Sequence, residues 1–287
     1  MNKPQLDTMQ TVDGLGLFAQ TWLPAAAPVA NLALIHGFGE HSGRYHNLVD
    51  EMLRHDIAVH TFDHRGHGHS PGPRGHIRSW QDYQNDVASL LTKVRSQNQA
   101  PVFLMGHSMG ALIVLDYMLQ HPQGLQGGIV SGLPLQPSGA ASPFLIALST
   151  LFSHLFPRFK VSLKLDVRGL SRDPAVQAAY QADPLVHDKA TARWGAQMTS
   201  TMARVREQAK QVRLPILFVH GAEDPISPLA AVQNFYVHID YPDKCLKIYP
   251  KRRHEPHNDF DFEQPLADIS AWLQAHLGVR QTVPQGQ

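Results

Sequence analysis

Residues 102–119 have the sequence VFLMGHSMGALIVLDYML. The first four are apolar and predict a short buried strand, and residues 111–119 predict a helix. Between the two lies the pattern G-x-S-x-G, at residues 106–110. A serine with a strand before this pattern and a helix after it occupies a sharp turn that lifts its hydroxyl above the sheet. The context therefore predicts that Ser108 is a nucleophile, which an isolated G-x-S-x-G would not.

Alternating strand and helix patterns extend from this turn toward both ends of the chain. Short apolar runs predict strands at residues 30–35, 57–62, 102–105, 128–130, 216–219 and 245–249. Amphipathic patterns predict helices at residues 45–54, 80–94, 111–119, 230–237 and 266–277. A hairpin with a type I′ turn at Asp13-Gly14 is expected before them. The order indicates an α/β fold with a mostly parallel, doubly wound sheet and helices on both faces.

The alternation stops between residues 134 and 206, which show no strand-like run and are expected to be helical or irregular. Because strands resume at residue 216, we interpret residues 134–206 as an inserted helical cap. Residues 1–133 and 207–287 then form the core, and the chain is one domain overall. The cap contains an apolar stripe at helical spacing, formed by Phe144, Ala147, Leu148, Leu151, Phe152, Leu155, Phe156 and Phe159.

Composition and charge exclude several classes of protein. A hydrophobic content of 43% with 17% charged residues is typical of a globular chain with a sizeable core. The 25 basic and 24 acidic residues leave a net charge of +1, so no electric field favours binding to nucleic acid. The single cysteine, Cys245, has no partner for an internal disulfide, which excludes a disulfide scaffold.

Signals for export or membrane insertion are absent from the sequence. The first residues lack the apolar core of a signal peptide, and no run of 18 apolar residues predicts a transmembrane helix. We therefore expect a cytoplasmic protein, either free or held peripherally at the inner face of a membrane. Nothing in the sequence indicates an oligomeric state.

A serine nucleophile needs a base that removes its proton and an acid that orients the base. In this type of fold the acid and then the histidine follow the serine along the chain. Glu223 and Asp224 come directly after the strand at 216–219, and we prefer Asp224 as the acid. His254 and His257 come after the last strand. We predict that His254 is the base and that His257 lies in a surface loop.

Acyl transfer also needs donors for the oxyanion that forms on the substrate. In this arrangement they are backbone N–H groups, one from the residue after the nucleophile and one from the loop after an early strand. These positions are Met109 and Phe38, the latter within His36-Gly37-Phe38-Gly39. We predict that both residues form the oxyanion hole.

Four segments resemble the monoacylglycerol lipase and lysophospholipase branch of the α/β-hydrolases, often grouped with serine aminopeptidases of the same fold. They are HGFGEHSGRY at 36–45, DHRGHGHS at 63–70, GHSMG at 106–110 and HGAED at 220–224. The resemblance implies an α/β-hydrolase fold with a triad of Ser108, Asp224 and His254, an oxyanion hole at Phe38 and Met109, and a cap over the site.

The resemblance also implies the activity. A protein of this branch cleaves carboxylic esters of single-acyl lipids through an acyl-enzyme, here on Ser108, and needs neither a cofactor nor a metal ion. Its partner is then a small lipid ester. The net charge predicts no nucleic-acid partner, and the apolar stripe leaves peripheral membrane contact through the cap open. The apolar stripe is either the wall of an acyl-chain tunnel that partly touches lipid, or an ordinary cap surface packed on the core.

Other reactions use the same triad, so a general carboxylesterase, a thioesterase and an aminopeptidase stay open as alternatives. An aminopeptidase presents acidic residues to the free amine of its substrate. The insertion has only Asp166, Asp173, Asp183 and Asp188 before Glu207, which disfavours this alternative without excluding it. A non-catalytic binding module of this fold usually lacks a triad residue, whereas all three are present here.

Glu40 and Arg44, in the predicted oxyanion loop, and His107, beside the nucleophile, have two possible roles. They bind the polar head of the substrate, or they form a buried polar network that holds two loops together. The sequence favours neither role over the other.

Histidines 64, 67 and 69 invite a metal interpretation, but their spacing matches no zinc pattern with a partner cluster. The resemblance implies a structural role for them beneath the site. Residues 250–253 are basic where the family usually has a small or glycine-containing turn. This segment either favours an anionic head group or lies in solvent, and we favour the solvated loop.

Overall fold

An eight-stranded sheet forms the centre of the computed structural model, which describes residues 3–136 and 152–278. The strand order is β1-β2-β4-β3-β5-β6-β9-β10, and β7 pairs with β8 in a separate sheet. The strands are β1 Gln5–Gln10, β2 Gly16–Trp22, β3 Ala30–Ile35, β4 Ile57–Phe62, β5 Val102–His107, β6 Gly127–Ser131, β7 Lys160–Ser162, β8 Lys189–Thr191, β9 Ile216–Gly221 and β10 Lys244–Tyr249. The α-helices are α1 His46–Arg54, α2 Gln81–Gln97, α3 Met109–Gln120, α4 Pro174–Ala182, α5 Ala192–Arg206, α6 Leu229–Val237 and α7 Glu263–Ala275.

Helices cover both faces of the sheet, which confirms the doubly wound fold. The six strands from β4 to β10 in the sheet order are parallel to one another. Strand β2 is antiparallel to both of its neighbours, β1 and β4. Alternate residues of β3 feed two hydrophobic clusters, so the clusters lie on opposite faces. One contains Leu90 of α2 and Leu112 of α3, and the other contains Leu48 of α1 and Ile269 of α7.

The first hairpin forms as expected, but its turn is not of type I′. That type needs a positive φ at both central residues, and only Gly14 has one, at 80°. The connection is longer than two residues, since the Gly14 N–H donates to the Thr11 carbonyl at 3.0 Å. The Thr11 hydroxyl accepts from the Leu15 N–H at 2.9 Å and donates to Asp13 at 2.6 Å. These side-chain bonds fix the longer turn.

The insertion contains α4, α5 and a short antiparallel pair of strands, in which Val161 lies opposite Ala190. The expectation that residues 134–206 hold no strand is therefore wrong. Each strand has three residues, too few to show a period, and Lys160–Ser162 are all exposed. The bounds of the cap stay a prediction. Residues 137–151, with the part of the apolar stripe from Phe144 to Leu151, lie outside the described residues.

The turn between β5 and α3 is sharp and closely packed. Ser108 has φ 52° and ψ −122°, a backbone conformation that residues other than glycine rarely adopt. Its N–H donates to the carbonyl of Ser131 in β6 at 2.9 Å. A Cβ atom on Gly110 would collide with the carbonyl oxygen of Ile35 in β3. The glycine therefore lets the helix approach the sheet and keeps Ser108 at the carboxyl end of a central strand.

We expect Gly110→Ala to lower the free energy of unfolding by about 1–3 kcal/mol, because the added methyl has to displace main-chain atoms. Urea denaturation measures the change. Gly278→Ala is the matched control, since a Cβ there meets nothing within 4 Å. Equal stability of the two variants would contradict the close approach at Gly110.

Candidate active site

Three candidate catalytic side chains lie at one edge of the sheet. Ser108 follows β5, Asp224 follows β9 and His254 follows β10, and the carboxyl ends of parallel strands are where α/β folds place their sites. His254 Nδ1 lies 2.8 Å from Asp224 Oδ2. A carboxylate only accepts, so Nδ1 carries the proton and Nε2 is left as the basic nitrogen. Ser108 and His254 line one cavity.

Backbone groups hold the carboxylate of Asp224 in place. Its Oδ1 accepts the N–H groups of Ile226 at 2.8 Å and of Ser227 at 2.9 Å. Burial raises the pKa of Asp224, but the charge of His254, the bond to it and the Ser227 N–H together lower the pKa below its usual value. Asp224 is therefore ionised at neutral pH. The alternative acid, Glu223, is exposed.

His220, for which no role was predicted, also belongs to this site. Its Nε2 donates to the carbonyl of Ser227 at 2.8 Å and lies 3.5 Å from the carboxylate of Asp224. It thus supports the turn whose N–H groups bind the acid. Its place in the quoted segment HGAED, at the end of a buried strand, was the signal that pointed to it.

The charge of Asp224 raises the pKa of the candidate base, His254. Burial lowers the pKa of His254, but the charge of Asp224 and the hydrogen bond to it raise the pKa more, with help from Glu255 and Glu40. The net result is a pKa above the ordinary value of 6.5. Below that pKa the ring is protonated and has no lone pair for the serine proton.

Ser108 Oγ and His254 Nε2 form no hydrogen bond among the described residues. Both atoms belong to side chains of the cavity wall. Catalytic hydrogen bonds are often long in free enzymes and shorten when substrate binds. The arrangement is therefore compatible with proton transfer from the serine to the histidine once the cavity is filled.

The two predicted oxyanion donors lie beside the nucleophile. Met109 is the first residue of α3, where a helix offers its N–H no internal acceptor. Phe38 lies in the loop after β3, and both residues line the cavity with Ser108. Within residues 3–136 and 152–278, neither N–H has a hydrogen-bond partner. Both groups are thus available to a substrate oxygen, and their role stays a prediction.

The cap contacts both of these residues through one side chain. The ring of Trp194, in α5, lies 4.1 Å from that of Phe38 between centroids. Its Nε1 lies 3.3 Å from the sulfur of Met109. Helix α5 of the predicted cap therefore contacts the side chains of both proposed oxyanion residues.

Glu40 and Arg44 belong to a largely buried polar network and also line the cavity, so the head-group role stays a prediction for both. Arg44 donates to Glu40 at 2.5 Å and binds Glu255 through both terminal nitrogens at 2.9 Å. Glu40 also accepts from the Tyr45 hydroxyl at 2.6 Å and the Gly37 N–H at 2.7 Å.

Glu255, the residue directly after His254, also belongs to this network, and no sequence pattern predicts it. Burial raises the pKa of Glu255, but the charge of Arg44 and the bonds to it lower the pKa far more. Glu255 is therefore ionised although it is buried. No local pattern marks it, because its partner is distant in the chain.

His107 and His257 form a buried aromatic group behind the base. His107 packs on His254 and on His257, with ring centroids 4.8 Å apart in both cases. It is not among the described residues that line the cavity. His257 stacks on Tyr45 at 5.0 Å and is 2% exposed, so the expectation of a surface loop is wrong. Burial lowers the pKa of His257 to about 4, and the ring is neutral at pH 7.

His64, His67 and His69 were predicted to lie beneath the site, and two of the three are buried there. His64 and His67 are buried with His36, and burial lowers the pKa of each of the three rings. His69 is exposed, so the expectation is wrong for this residue. In the two described ranges, no group of three His, Cys, Asp or Glu side chains has the arrangement of a metal site.

The basic segment at 250–253 does not face the cavity, and it is only partly solvated. Lys251 is exposed, but Arg252 is buried and donates to the carbonyl of Asp261 at 2.5 Å. Arg253 is half-buried and donates to the carbonyl of Arg168. The solvated-loop interpretation is therefore wrong for Arg252. The loop uses its arginines to bind neighbouring carbonyls.

The cavity has a volume of about 1020 Å³ and two chemically different sides. Its polar side is built from residues joined by ion pairs or ring contacts to the oxyanion loop: Glu40, Arg44, Tyr180, Asp183 and Glu255. Its apolar side includes Leu163, Leu165, Val167, Leu170, Trp194, Met198, Met202 and Ile226, and the polar residues Lys164 and Thr199 lie among them in the chain. Such a cavity fits a molecule with a polar head and an apolar chain.

No helix in the described part of the chain has the length and apolar character needed to cross a membrane. Several of the large apolar side chains that are exposed to solvent lie in the predicted cap, between residues 152 and 165.

Known proteins resemble this chain over most of its length. The profile of the family described as serine aminopeptidase, S33, matches residues 26–261. The monoacylglycerol lipase of Mycolicibacterium smegmatis is 32% identical over 268 residues, which cover 93% of this chain and 95% of the relative.

Two solved structures have the same fold. The monoacylglycerol lipase of Paleococcus ferrophilus is 30% identical with a TM-score of 0.84, and the match covers 91% of this chain and 99% of the other. A soluble variant of monoglyceride lipase from Saccharomyces cerevisiae, in complex with a substrate analogue, is 25% identical with a TM-score of 0.85 and 96% coverage of both chains. These similarities confirm the predicted α/β-hydrolase fold.

We expect kcat/KM to fall on the acid side with an apparent pKa above 6.5, because His254 has to be neutral to accept the serine proton. In Asp224→Asn the charge that raises the pKa of His254 is gone, so the acid limb moves to lower pH. The same variant loses about 10⁴-fold in kcat, since the acid no longer orients the ring. Initial rates of ester cleavage between pH 5 and 9 measure both effects.

His257→Ala is the matched control, because this ring is neutral at pH 7 and does not bind Asp224. It should keep the acid limb of the wild type. Loss of activity in His257→Ala but not in His254→Ala would contradict the assignment of the base.

Proposed function

Because this chain belongs to the serine aminopeptidase S33 family, we propose that it hydrolyses monoacylglycerols through Ser108, His254 and Asp224. The chain is a carboxylic ester hydrolase of the monoacylglycerol lipase type. To this class of enzyme the proposal adds three details: the residues of the triad, the oxyanion donors and the head group of the substrate. One observation supports them most directly: Ser108 and the buried Asp224–His254 pair open into a cavity with a polar and an apolar side.

In the proposed reaction, His254 Nε2 takes the proton of Ser108 as its hydroxyl attacks the ester carbonyl. The N–H groups of Phe38 and Met109 bind the oxyanion. His254 then protonates the leaving alcohol, and an acyl-enzyme remains on Ser108. In the second half-reaction His254 activates a water molecule, which releases the fatty acid. Asp224 stays ionised throughout and stabilises the imidazolium that forms twice per turnover.

The polar side of the cavity favours a neutral head group. Arg44 is the cation of this polar network, and Glu40 and Glu255 occupy its terminal nitrogens. The three groups together carry a charge of −1. A phosphate 4 Å from an uncompensated carboxylate is repelled by about 4 kcal/mol at an effective dielectric constant of 20. Glycerol hydroxyls, in contrast, have partners in these carboxylates, which supports monoacylglycerol over an anionic lysophospholipid.

The acidic residues of the cap give little support to an aminopeptidase. Asp166 pairs with Arg168, and Asp173 caps α4. Asp183 pairs with His41, and Asp188 with Lys189. Each acid in the insertion therefore already has a partner, and binding a free amine would require breaking one of these contacts.

Peripheral membrane contact through the cap, predicted as residues 134–206, is part of the proposal. Between residues 152 and 165, the large apolar residues exposed to solvent are Phe152, Leu155, Phe156, Phe159, Val161, Leu163 and Leu165. Leu163 and Leu165 also line the cavity, so this patch reaches the side proposed to hold the acyl chain. Arg158, Lys160 and Lys164 are exposed in the same segment, and each cation near an anionic lipid surface adds about 1 kcal/mol.

The head group is tested by the ratio of kcat/KM for monooleoylglycerol to that for oleoyl lysophosphatidate. We expect the wild type to favour the neutral lipid by about 100-fold or more. Glu255→Gln removes a charge, keeps an acceptor for Arg44, and should lower the ratio about tenfold, or 1.4 kcal/mol. The ratio does not depend on the fraction of folded enzyme, so a loss of stability leaves it unchanged.

Ser108→Ala is the blank for this assay, and Glu263→Gln, at an exposed glutamate, is the matched charge control. Equal cleavage of both lipids by the wild type would contradict the charge argument. Release of fatty acid from neither lipid would overturn the proposed substrate.

Membrane contact is tested by sedimentation with vesicles of neutral or partly anionic phospholipid. We expect Phe156→Asp to weaken binding about tenfold, because an inserted phenylalanine contributes roughly 1.5–3 kcal/mol. Val237→Asp is the matched control, since Val237 is an exposed apolar residue of α6, outside the cap. Equal loss in the two variants, or none in Phe156→Asp, would contradict contact through the cap.

A further inference from the structure

The cavity wall formed by α5 contains a position without a side chain. Gly195, Met198, Thr199 and Met202 line the cavity, and their spacing of three and four residues places them on one face of the helix. The methionines fill their part of this wall, whereas Gly195 leaves open space. We propose that Gly195 sets the length of acyl chain that the enzyme accepts, a role that rests on the proposed cleavage of acyl esters.

Neither of the usual structural reasons for a glycine applies at this position. Gly195 does not have a positive φ, so its backbone conformation is open to any residue. A Cβ on it would meet no described atom within 4 Å, in contrast to Gly110, where the sheet backbone is in the way. Glycine is also a poorer helix former than every residue except proline. With respect to the described residues, the glycine therefore costs stability without relieving strain or a close approach.

The position of Gly195 connects it to the chemistry. It follows Trp194, which contacts the side chains of both proposed oxyanion residues. Met202 lies seven residues further along, about 10 Å at the rise of an α-helix. An acetyl group ends close to Ser108, whereas a long acyl chain continues along this wall. A side chain at position 195 would thus obstruct the long chain and leave the short one in place.

The experiment compares p-nitrophenyl acetate with p-nitrophenyl palmitate, so that it does not depend on the glycerol head. We expect Gly195→Ala to lower kcat/KM for palmitate about tenfold and Gly195→Leu about 100-fold, the range that methylene groups reach in an apolar pocket. Activity on acetate should stay within about twofold of wild type. The melting temperature of Gly195→Ala should rise by about 1–3 °C, as expected for a better helix former.

Ala203→Leu is the matched control, because Ala203 is exposed on α5 and does not line the cavity. It should leave both esters unaffected. Equal losses on acetate and palmitate in Gly195→Leu, or no loss on palmitate, would overturn the role of Gly195. A wild type that cleaves both nitrophenyl esters but no monoacylglycerol would instead overturn the proposed substrate and leave the chain-length test valid.

Discussion

One buried guanidinium joins the two loops on which the proposed chemistry depends. Arg44 lies between Glu40, in the loop after β3, and Glu255, which directly follows His254. Glu40 in turn accepts the N–H of Gly37 in the oxyanion loop. Removing one partner from such a buried group leaves a charge without compensation, at a cost of about 3–5 kcal/mol. The separation between the base and the oxyanion loop is therefore fixed largely by this ion pair.

The same three charged groups act on the chemistry as well as on the fold. Two carboxylates and one guanidinium leave a negative charge next to His254, and Glu255 and Glu40 both contribute to raising its pKa. In the proposed mechanism that charge stabilises the imidazolium of the transition state, in addition to the larger effect of Asp224. It also lies on the polar side of the cavity, where the proposal has it disfavour an anionic head group. The proposed base strength and the proposed head-group preference thus share a physical cause.

The features that the sequence predicted are those with a local signal. The strands β3 and β4 are short, mostly apolar runs, and Ser108 lies between glycines that the turn requires. The features it missed are formed only in the folded chain. Glu255 binds Arg44 from 211 positions away, so no spacing rule connects the two. His257 follows a basic segment typical of surface loops, and contacts with Tyr45 and His107 bury it. The strands of the cap are too short for any period to appear.

The central claim is that Ser108, activated by the Asp224–His254 pair, is the nucleophile that carries the acyl group. Its most direct test is labelling of the whole protein with a fluorophosphonate probe, followed by mass spectrometry of the modified peptide. The account predicts one probe per chain, attached to Ser108, with no labelling in Ser108→Ala and labelling slowed by orders of magnitude in His254→Ala. Attachment at another residue, or labelling that persists in Ser108→Ala, would contradict it.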